Sequence, residues 1–312
     1  MSGYKVIVNP ISGRGAGEQA IPVIEQLLRD YGLDFDIVRT ERPWHAVDLA
    51  QKAVLDGYEV VVAVGGDGTV NEVLNGLMIA KQDGLGGAAL GVLGVGRGND
   101  FAFGMGVPLD LGEACRMLAR GQRRKVDVGR VIGGLYPEGR YFGNGVGIGF
   151  DAVVGFEASK MTRLHGFSSY VVAAFKTIFL YYPAPRLRIE YDGQTIVQSS
   201  LLISIMNGRR MGGTFMMTPH SETDDGLLDL CIGNGVARLG IPALILRFMK
   251  GTQATHHAIT TGRTQRVVIS AVEGVLPAHA DGETLCTEGQ QLTIELLPRQ
   301  LEVICGLPES LQ

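Results

Sequence analysis

The first third of the chain alternates short β-branched apolar runs with longer stretches whose apolar residues recur at helical spacing. The runs are YKVIVN (4–9), DFDIVRT (34–40), YEVVVAV (58–64) and ALGVLGV (89–95), bounded by Gly, Asn or Asp, which predicts strands. Between them, Ile21, Ile24, Leu27, Leu28 and Tyr31 share one helical face, and Ala46, Leu49, Ala50 and Ala53 share another. Strand and helix in repetition predict a parallel sheet covered on both faces, with right-handed crossovers. Ligands of such sheets bind beyond the carboxyl ends of the strands. There lie NPISGRGAG (9–17), GGDGT (65–69) and GVGRGND (94–100).

Past residue 128 the rhythm changes. Segments 139–150, 186–193, 195–208, 226–233, 263–270 and 291–298 read as strands separated by turn signals, interrupted by helical patterns at about 153–182 and 238–250. The expectation is an α/β protein: a doubly wound parallel-sheet domain over 1–128 and a mainly antiparallel β domain over 129–299. The last run, LEVICG (301–306), fits either domain, so the chain from about 300 to 312 is a candidate to return to the first.

Composition narrows the function classes. With 312 residues, 46% apolar and 19% charged, the chain is a soluble globular protein long enough for two cores. Its 45 glycines follow no period, which favours tight turns and close backbone approach over a helical bundle. A net charge of -4 argues against a general nucleic-acid binder. The basic clusters Arg123, Arg124, Lys125 and Arg209, Arg210 read as solvated strand ends in preference to an anionic-lipid patch. Four cysteines without a CxxC pair suit reduced thiols in a cytoplasmic setting. The start, MSGYKVIVNP, reads as a strand of the mature fold and lacks a secretory pattern. The apolar stretch 168–182 is broken by Lys176 and falls short of the ~20 residues of a membrane span. The six histidines show no metal-ligand spacing, and Trp44, Met211, Met216 and Met217 are read as packing residues, although the methionines could line an acyl-chain groove.

Chemistry concentrates in the glycine loops. Gly65, Gly66 and Gly68 remove β-carbons where a strand turns into a helix, so phosphate oxygens can approach backbone N–H groups at a helix N-terminus. Asp67 would repel that phosphate unless a divalent cation stands between them, as Mg2+ does between carboxylates and nucleotide oxygens. The plain alternative is an Asp-Gly turn with Thr69 as helix N-cap. It leaves the two preceding glycines unexplained. Asn99 and Asp100 repeat the theme after GVGRG, where a capping pair is the plain reading. NPISGRGAG lacks the Lys-Ser/Thr of a P-loop and has GxGxG in place of GxGxxG, which weakens a dehydrogenase reading.

NPISG (9–13), GGDGTVNEVLNGL (65–77), GNDFA (98–102), VDVGRV (126–131), NGRRMGGTFMMTPHSETDDGLLDL (207–230) and ADGE (280–283) occur in that order. Together they resemble the bacterial branch of the diacylglycerol kinase catalytic-domain family, soluble lipid kinases related to sphingosine kinases; GGDG alone is shared with NAD kinases and phosphofructokinases. The resemblance implies an ATP-binding domain of the NAD kinase/diacylglycerol kinase type, a C-terminal β-sandwich on the lipid side, and a cleft between them completed on closure. It implies that Asn9, Pro10, Ile11, Ser12, Gly13, Thr40, Gly66, Asp67, Gly68, Thr69, Val70, Asn71, Glu72 and Arg97 contact ATP. It further implies that Asp67, Asp100 and Asp127 organise catalytic Mg2+, that Glu283 is the general base, and that Glu222, Asp225 and the Leu227 carbonyl hold a structural Mg2+. On residues alone, Asp225-Gly226 reads as a hairpin turn and Asp281-Gly282 as a turn. Arg97 departs from the family's usual Thr; an arginine can pair with phosphate bidentately.

The function implied is ATP- and Mg2+-dependent transfer of phosphate to the free hydroxyl of a diacylglycerol-like lipid, by a protein resting peripherally on the inner face of the membrane. The apolar positions Tyr170, Val171, Ala174, Phe175, Ile178 and Phe179 would pack on the β domain or dip into the membrane interface. Alternative acceptors are a sphingoid base, phosphatidylglycerol or NAD; the alternative class is a non-catalytic nucleotide or lipid sensor. A second copy of the chain, giving a homodimer, is a candidate partner.

Overall fold

The structure, a computed structural model, describes residues 3–159 and 184–306. Most of the helical pattern at 153–182, including the six apolar positions from Tyr170 to Phe179, lies outside the described residues. The chain divides into two units, one running to Val128 and resuming at Arg299, the other spanning Gly129–Pro298.

In the first unit, β1 (Tyr4–Val8), β2 (Phe35–Arg39), β3 (Val60–Gly65) and β4 (Ala89–Gly94) form a parallel sheet in the order β2-β1-β3-β4. Helices α1 (Ala16–Asp30), α2 (His45–Leu55), α3 (Asp67–Gln82), α4 (Asp100–Gly104) and α5 (Leu111–Arg120) connect or flank the strands. Burial follows most of the predicted periodicity: Val60 through Val64 are at most 1% exposed, α1 turns Ile21, Ile24 and Leu28 inward and α2 turns Ala46, Ala50 and Ala53 inward, whereas Tyr31, expected on the α1 face, is exposed because the helix ends at Asp30. Each large aliphatic side chain so buried contributes about 1.5–3 kcal/mol. Because β1 lies between β2 and β3, the chain leaves it first to one side and then to the other. That reversal opens a crevice at the carboxyl ends of β1 and β3.

Strand β5 (Arg123–Gly133) leads into the second unit. There follow β6 (Tyr136–Phe142), β7 (Gly145–Gly149), α6 (Phe150–Ser159), β8 (Arg186–Tyr191), β9 (Gln194–Met206) and the short β10 (Arg210–Met211) and β11 (Phe215–Met216). The remainder is β12 (Leu228–Asn234), α7 (Ile241–Lys250), β13 (Ile259–Thr264), β14 (Arg266–Glu273), β15 (Leu276–Ala280), β16 (Glu283–Gly289) and β17 (Gln291–Ile304). Pairing within this unit is antiparallel, and β9 serves two sheets: its first half pairs with β8 and its second with β7 and β12. Ile148, Ile203, Ile205, Leu230 and Ile232 from one sheet share a core with Leu187, Ile189, Val267, Ile269, Leu292 and Ile294 from the other. The opposite face of the β7-β9-β12 sheet, with Leu202, Met206 and Cys231, is packed by Phe150 and Val154 of α6 and by Ile241, Leu244 and Phe248 of α7. Met211 and Met217 are buried in that second cluster, an ordinary packing role.

Several expectations change. The single strand 139–150 is two, β6 and β7, because the chain turns at Gly143–Asn144, and Phe150 already begins α6. Asp225-Gly226 is a turn with Gly226 at φ 78 but no hairpin: the strand after it, β12, pairs with β9 and β13 and not with the strand before it. Strand 291–298 continues without a break into LEVICG as β17, ending at Ile304, and its Val303 pairs in parallel with Leu90 of β4 in the first unit. Among the described residues no helix is long and apolar enough to cross a membrane.

Candidate active site

The three glycine loops meet at the carboxyl ends of the parallel strands. Each ladder extends a residue beyond its strand: the Asn9 N–H donates to Val64 O (2.9 Å), Thr40 N–H to Val8 O (2.8 Å) and Val95 N–H to Gly65 O (3.0 Å). A β-carbon on Gly13 would lie 2.2 Å from Val95 O, and one on Gly96 only 2.3 Å from the Cα of Gly66. Part of the glycine requirement is thus loop-on-loop packing, backbone against backbone, and not phosphate access alone. Gly96→Ala is expected to destabilise the protein by about 1–3 kcal/mol through forced backbone shifts, read as a lowered denaturant midpoint; an unchanged midpoint would show that the loops separate freely.

Side chains stitch the same loops together. Thr69 is not the N-cap of α3: that position is Gly66, which makes no side-chain cap bond, and Thr69 sits inside the first turn, 5% exposed. Its Oγ1 accepts from Asn9 Nδ2 at 3.0 Å, tying the first loop to α3. Asp67 Oδ1 accepts the N–H of Phe101, in the first turn of α4, at 3.1 Å. Asn99 does not cap α4 through its side chain either. Its amide closes its own loop, accepting from Gly96 N–H and donating to Gly96 O, both at 3.1 Å.

The predicted ATP contacts therefore separate by exposure. Asn9, Pro10, Ser12, Gly13, Thr40, Gly66, Asp67 and Gly68 are partly exposed, and Ile11 and Arg97 are exposed. Thr69, Val70 and Asn71 are buried, and the Val70 N–H already donates to Gly66 O at 3.1 Å. Glu72 is turned toward α2, where its Oε2 accepts the Ala46 N–H at 3.1 Å. Among the predicted metal-organising carboxylates, Asp67 is partly exposed, Asp100 is 6% exposed and Asp127 is fully buried. Asp127 Oδ1 accepts the N–H of Arg299 at 2.7 Å, where the returning chain takes a left-handed turn with φ 53. The local chemistry suits a triphosphate with a hard cation: a 16-residue helix beginning at Asp67 leaves first-turn N–H groups facing outward, and the partly exposed carboxylate among them is an oxygen donor for Mg2+.

In the second unit, Glu283 begins β16 opposite Ala280 and is half-buried. The two residues between β15 and β16, Asp281 (φ 48) and Gly282 (φ 86), both take positive φ, as a two-residue I′ hairpin requires. Asp281 does more than turn the chain. Its carboxylate accepts the N–H groups of Gly143 (2.8 Å), Asn144 (3.0 Å) and Gly145 (2.9 Å), a role whose only sequence signal is the GNG cluster at 143–145. Glu222, Asp225 and Leu227 share one exposed turn; Asp225 Oδ1 accepts the Leu227 N–H at 3.0 Å. Asp225 also pairs with Arg263, whose Nε reaches Asp229 at 3.1 Å. Burial pushes the Asp229 carboxyl above its usual range, against the lowering influence of Ser221 and Arg263. A cation at this turn thus shares Asp225 with a guanidinium. Among the described residues no three His, Cys, Asp or Glu side chains form a group that could hold a metal; the predicted set has two carboxylates and a carbonyl.

Other features lie apart from these loops. All four cysteines are buried and none forms a disulfide, and burial pushes the thiols of Cys115 and Cys231 up to about 11 and about 12, which disfavours the nucleophilic thiolate at those two. A cavity of about 550 Å³ in the first unit, lined by Lys81, Arg123 and Lys125 among others, borders the amino-terminal ends of β3 and β4, the edge opposite the glycine loops.

Residues 3–131 match the diacylglycerol kinase catalytic domain, and residues 144–305 match the YegS C-terminal NAD kinase beta sandwich-like domain. A diacylglycerol kinase of Staphylococcus aureus (strain bovine RF122 / ET3-1) is 30% identical over 282 residues, covering 89% of this chain and 85% of the relative. Among solved structures, a diacylglycerol kinase from Bacillus anthracis str. Sterne superposes with a TM-score of 0.73 at 24% identity, over 97% of both chains. A second chain from that organism, described as a candidate diacylglycerol kinase, gives a TM-score of 0.78 at 24% identity over 99% of this chain and 98% of its own.

Proposed function

This chain belongs to the diacylglycerol kinase family, and from that membership we propose that it transfers the γ-phosphate of ATP to the free hydroxyl of a diacylglycerol-like lipid. The observation that carries the reading is the junction of three glycine loops at the strand reversal, with Asp67 at the N-terminus of α3 and the exposed guanidinium of Arg97 on the neighbouring loop. The first loop and the first turn of α3 bind the phosphates through backbone N–H groups, and Arg97 pairs with phosphate oxygen. Mg2+, when bound, neutralises charge on the transferring phosphoryl group. Asp67 holds it, Asp100 supports that loop, and Asp127 fixes the strand behind it. The second Mg2+ position, at Glu222, Asp225 and the Leu227 carbonyl, belongs to the same proposal and serves structure.

Glu283 accepts the proton of the lipid hydroxyl as its oxygen bonds to the γ-phosphorus; the bond from that phosphorus to the β–γ bridging oxygen breaks and ADP leaves. The acceptor is reached from the surface of the cytoplasmic membrane leaflet. The test is transfer of radiolabel from ATP to a panel of diacylglycerol, a sphingoid base, phosphatidylglycerol and NAD, with and without Mg2+. Mg2+-dependent labelling of diacylglycerol above the others is the expected result. Labelling of another acceptor reassigns the substrate, and ATP binding with no transfer to any acceptor returns the protein to the sensor class.

A further inference from the structure

His279 lies on β15 with Gly147 of β7 opposite it on one side and Thr284 of β16 on the other. Its neighbours Ala278 and Ala280 enter the sandwich core, so strand alternation turns the imidazole to the opposite face of the sheet, where it is 7% exposed. Both ring nitrogens are engaged there. Nδ1 accepts the N–H of Gly282 at 3.3 Å, and Nε2 lies 3.5 Å from Oδ2 of Asp151, in the first turn of α6. That Asp151 oxygen is buried and makes no hydrogen bond, the imidazole nitrogen standing beside it at ion-pair distance. A buried carboxylate oxygen left without a donor is costly, so the proton belongs on Nε2 and Nδ1 remains an acceptor. Gly147 makes the arrangement sterically feasible: a β-carbon there would lie 2.5 Å from Nε2 and 2.3 Å from Oδ2.

We infer that His279, with its tautomer set by Asp151, is a positioning residue for Glu283: its Nδ1 holds Gly282, the residue that immediately precedes Glu283 in the hairpin turn. This rests on the reading of Glu283 as the general base. The hairpin is fixed on two sides, at Asp281 through the three N–H groups of 143–145 and at Gly282 through the imidazole. Gly282 has no side chain and a φ of 86, so without an acceptor for its N–H the turn gains freedom at the one residue that orients the Glu283 carboxylate. Misplacing a catalytic group by about 1 Å costs about 10²-fold. His279 touches neither substrate nor the reacting atoms in this scheme. Its effect is confined to the chemical step.

The experiment uses the full chain and follows ATP-dependent phosphorylation of dispersed diacylglycerol. His279→Ala is expected to lower kcat by about 10- to 100-fold with the KM for ATP unchanged. His279→Asn, whose amide oxygen can stand in for Nδ1 as an acceptor, should recover kcat to within about threefold of wild type. Gly147→Ala keeps both partners but wedges them apart, and should reproduce the kcat loss in a chain that still melts cooperatively. A wild-type kcat in His279→Ala, or a loss that Asn does not restore, overturns the inference. Glu283→Gln separates the two claims: full turnover in that variant removes the base assignment and this inference together, whereas an inactive Glu283→Gln beside a fully active His279→Ala removes only this one. A readout independent of turnover is the ¹⁵N spectrum of the His279 ring, which should show the Nε2–H tautomer; an Nδ1–H ring overturns the proposal whatever the acceptor proves to be.

Discussion

Glu283→Gln is expected to lower turnover by about 10²- to 10⁴-fold, the usual worth of a general base, while leaving ATP affinity nearly unchanged. The substitution is nearly isosteric, and the β15–β16 turn is held by Asp281 and Gly282 and not by the Glu283 carboxylate. Gln therefore leaves the hairpin in place and removes only the ability to take a proton. Single-turnover phosphorylation measured beside equilibrium nucleotide binding distinguishes loss of chemistry from loss of fold. Turnover at the wild-type level would dismiss Glu283 as the base.

Asp67→Asn is the second large effect. The carboxylate has one observed job and one proposed job that this replacement separates: one oxygen accepts the Phe101 N–H and thereby joins the second glycine loop to α4, and in the proposed function the charge attracts a cation to the α3 N-terminus. Asn can still accept the Phe101 N–H, so the loops stay joined and the melting temperature should change little. It cannot supply the charge. Activity at ordinary Mg2+ concentration is expected to fall by about 10²- to 10³-fold, matching the several kcal/mol that charge stabilisation supplies in such sites, with partial recovery as Mg2+ is raised. Normal activity at low Mg2+ would contradict the role. Asp67→Ala removes both functions and should lose stability as well.

How much of this was legible depended on the range of the interaction. The parallel strands and their helices announce themselves locally, in the β-branched runs 58–64 and 89–95 and in the Ile21, Ile24, Leu28 face, because period and burial are written in neighbouring residues. Helix α5 left signals that periodicity alone passed over: Asp110 caps it by accepting the Glu113 N–H at 3.0 Å, and Gly121 ends it at φ 64. The glycine loops were recognisable as a set, but the contact of Gly66 with Gly96 and of Gly13 with Val95 joins residues far apart in sequence, and no local pattern encodes it. The same holds for Asp281, whose three donors lie more than a hundred residues upstream. Thr69 and Asn99 were plausible caps by type, yet Thr69 bonds to Asn9 of another loop and Asn99 closes its own loop onto Gly96. Local rules named the residues correctly and assigned these two the wrong bond.

The return of β17 makes the first unit discontinuous in the gene while it is continuous in space. Val303 covers the outer edge of β4, Lys81 Nζ grips the Gln300 carbonyl at 2.6 Å, and Asp127 fastens Arg299 at the point of re-entry. A fragment ending at Val128 would bare the β4 edge and take from the buried Asp127 the N–H that Arg299 supplies, and an uncovered sheet edge is a template for sticking to another chain. Ribosomal synthesis meets the same difficulty: the segment up to Val128 cannot finish its sheet until the chain from Arg299 onward has been made.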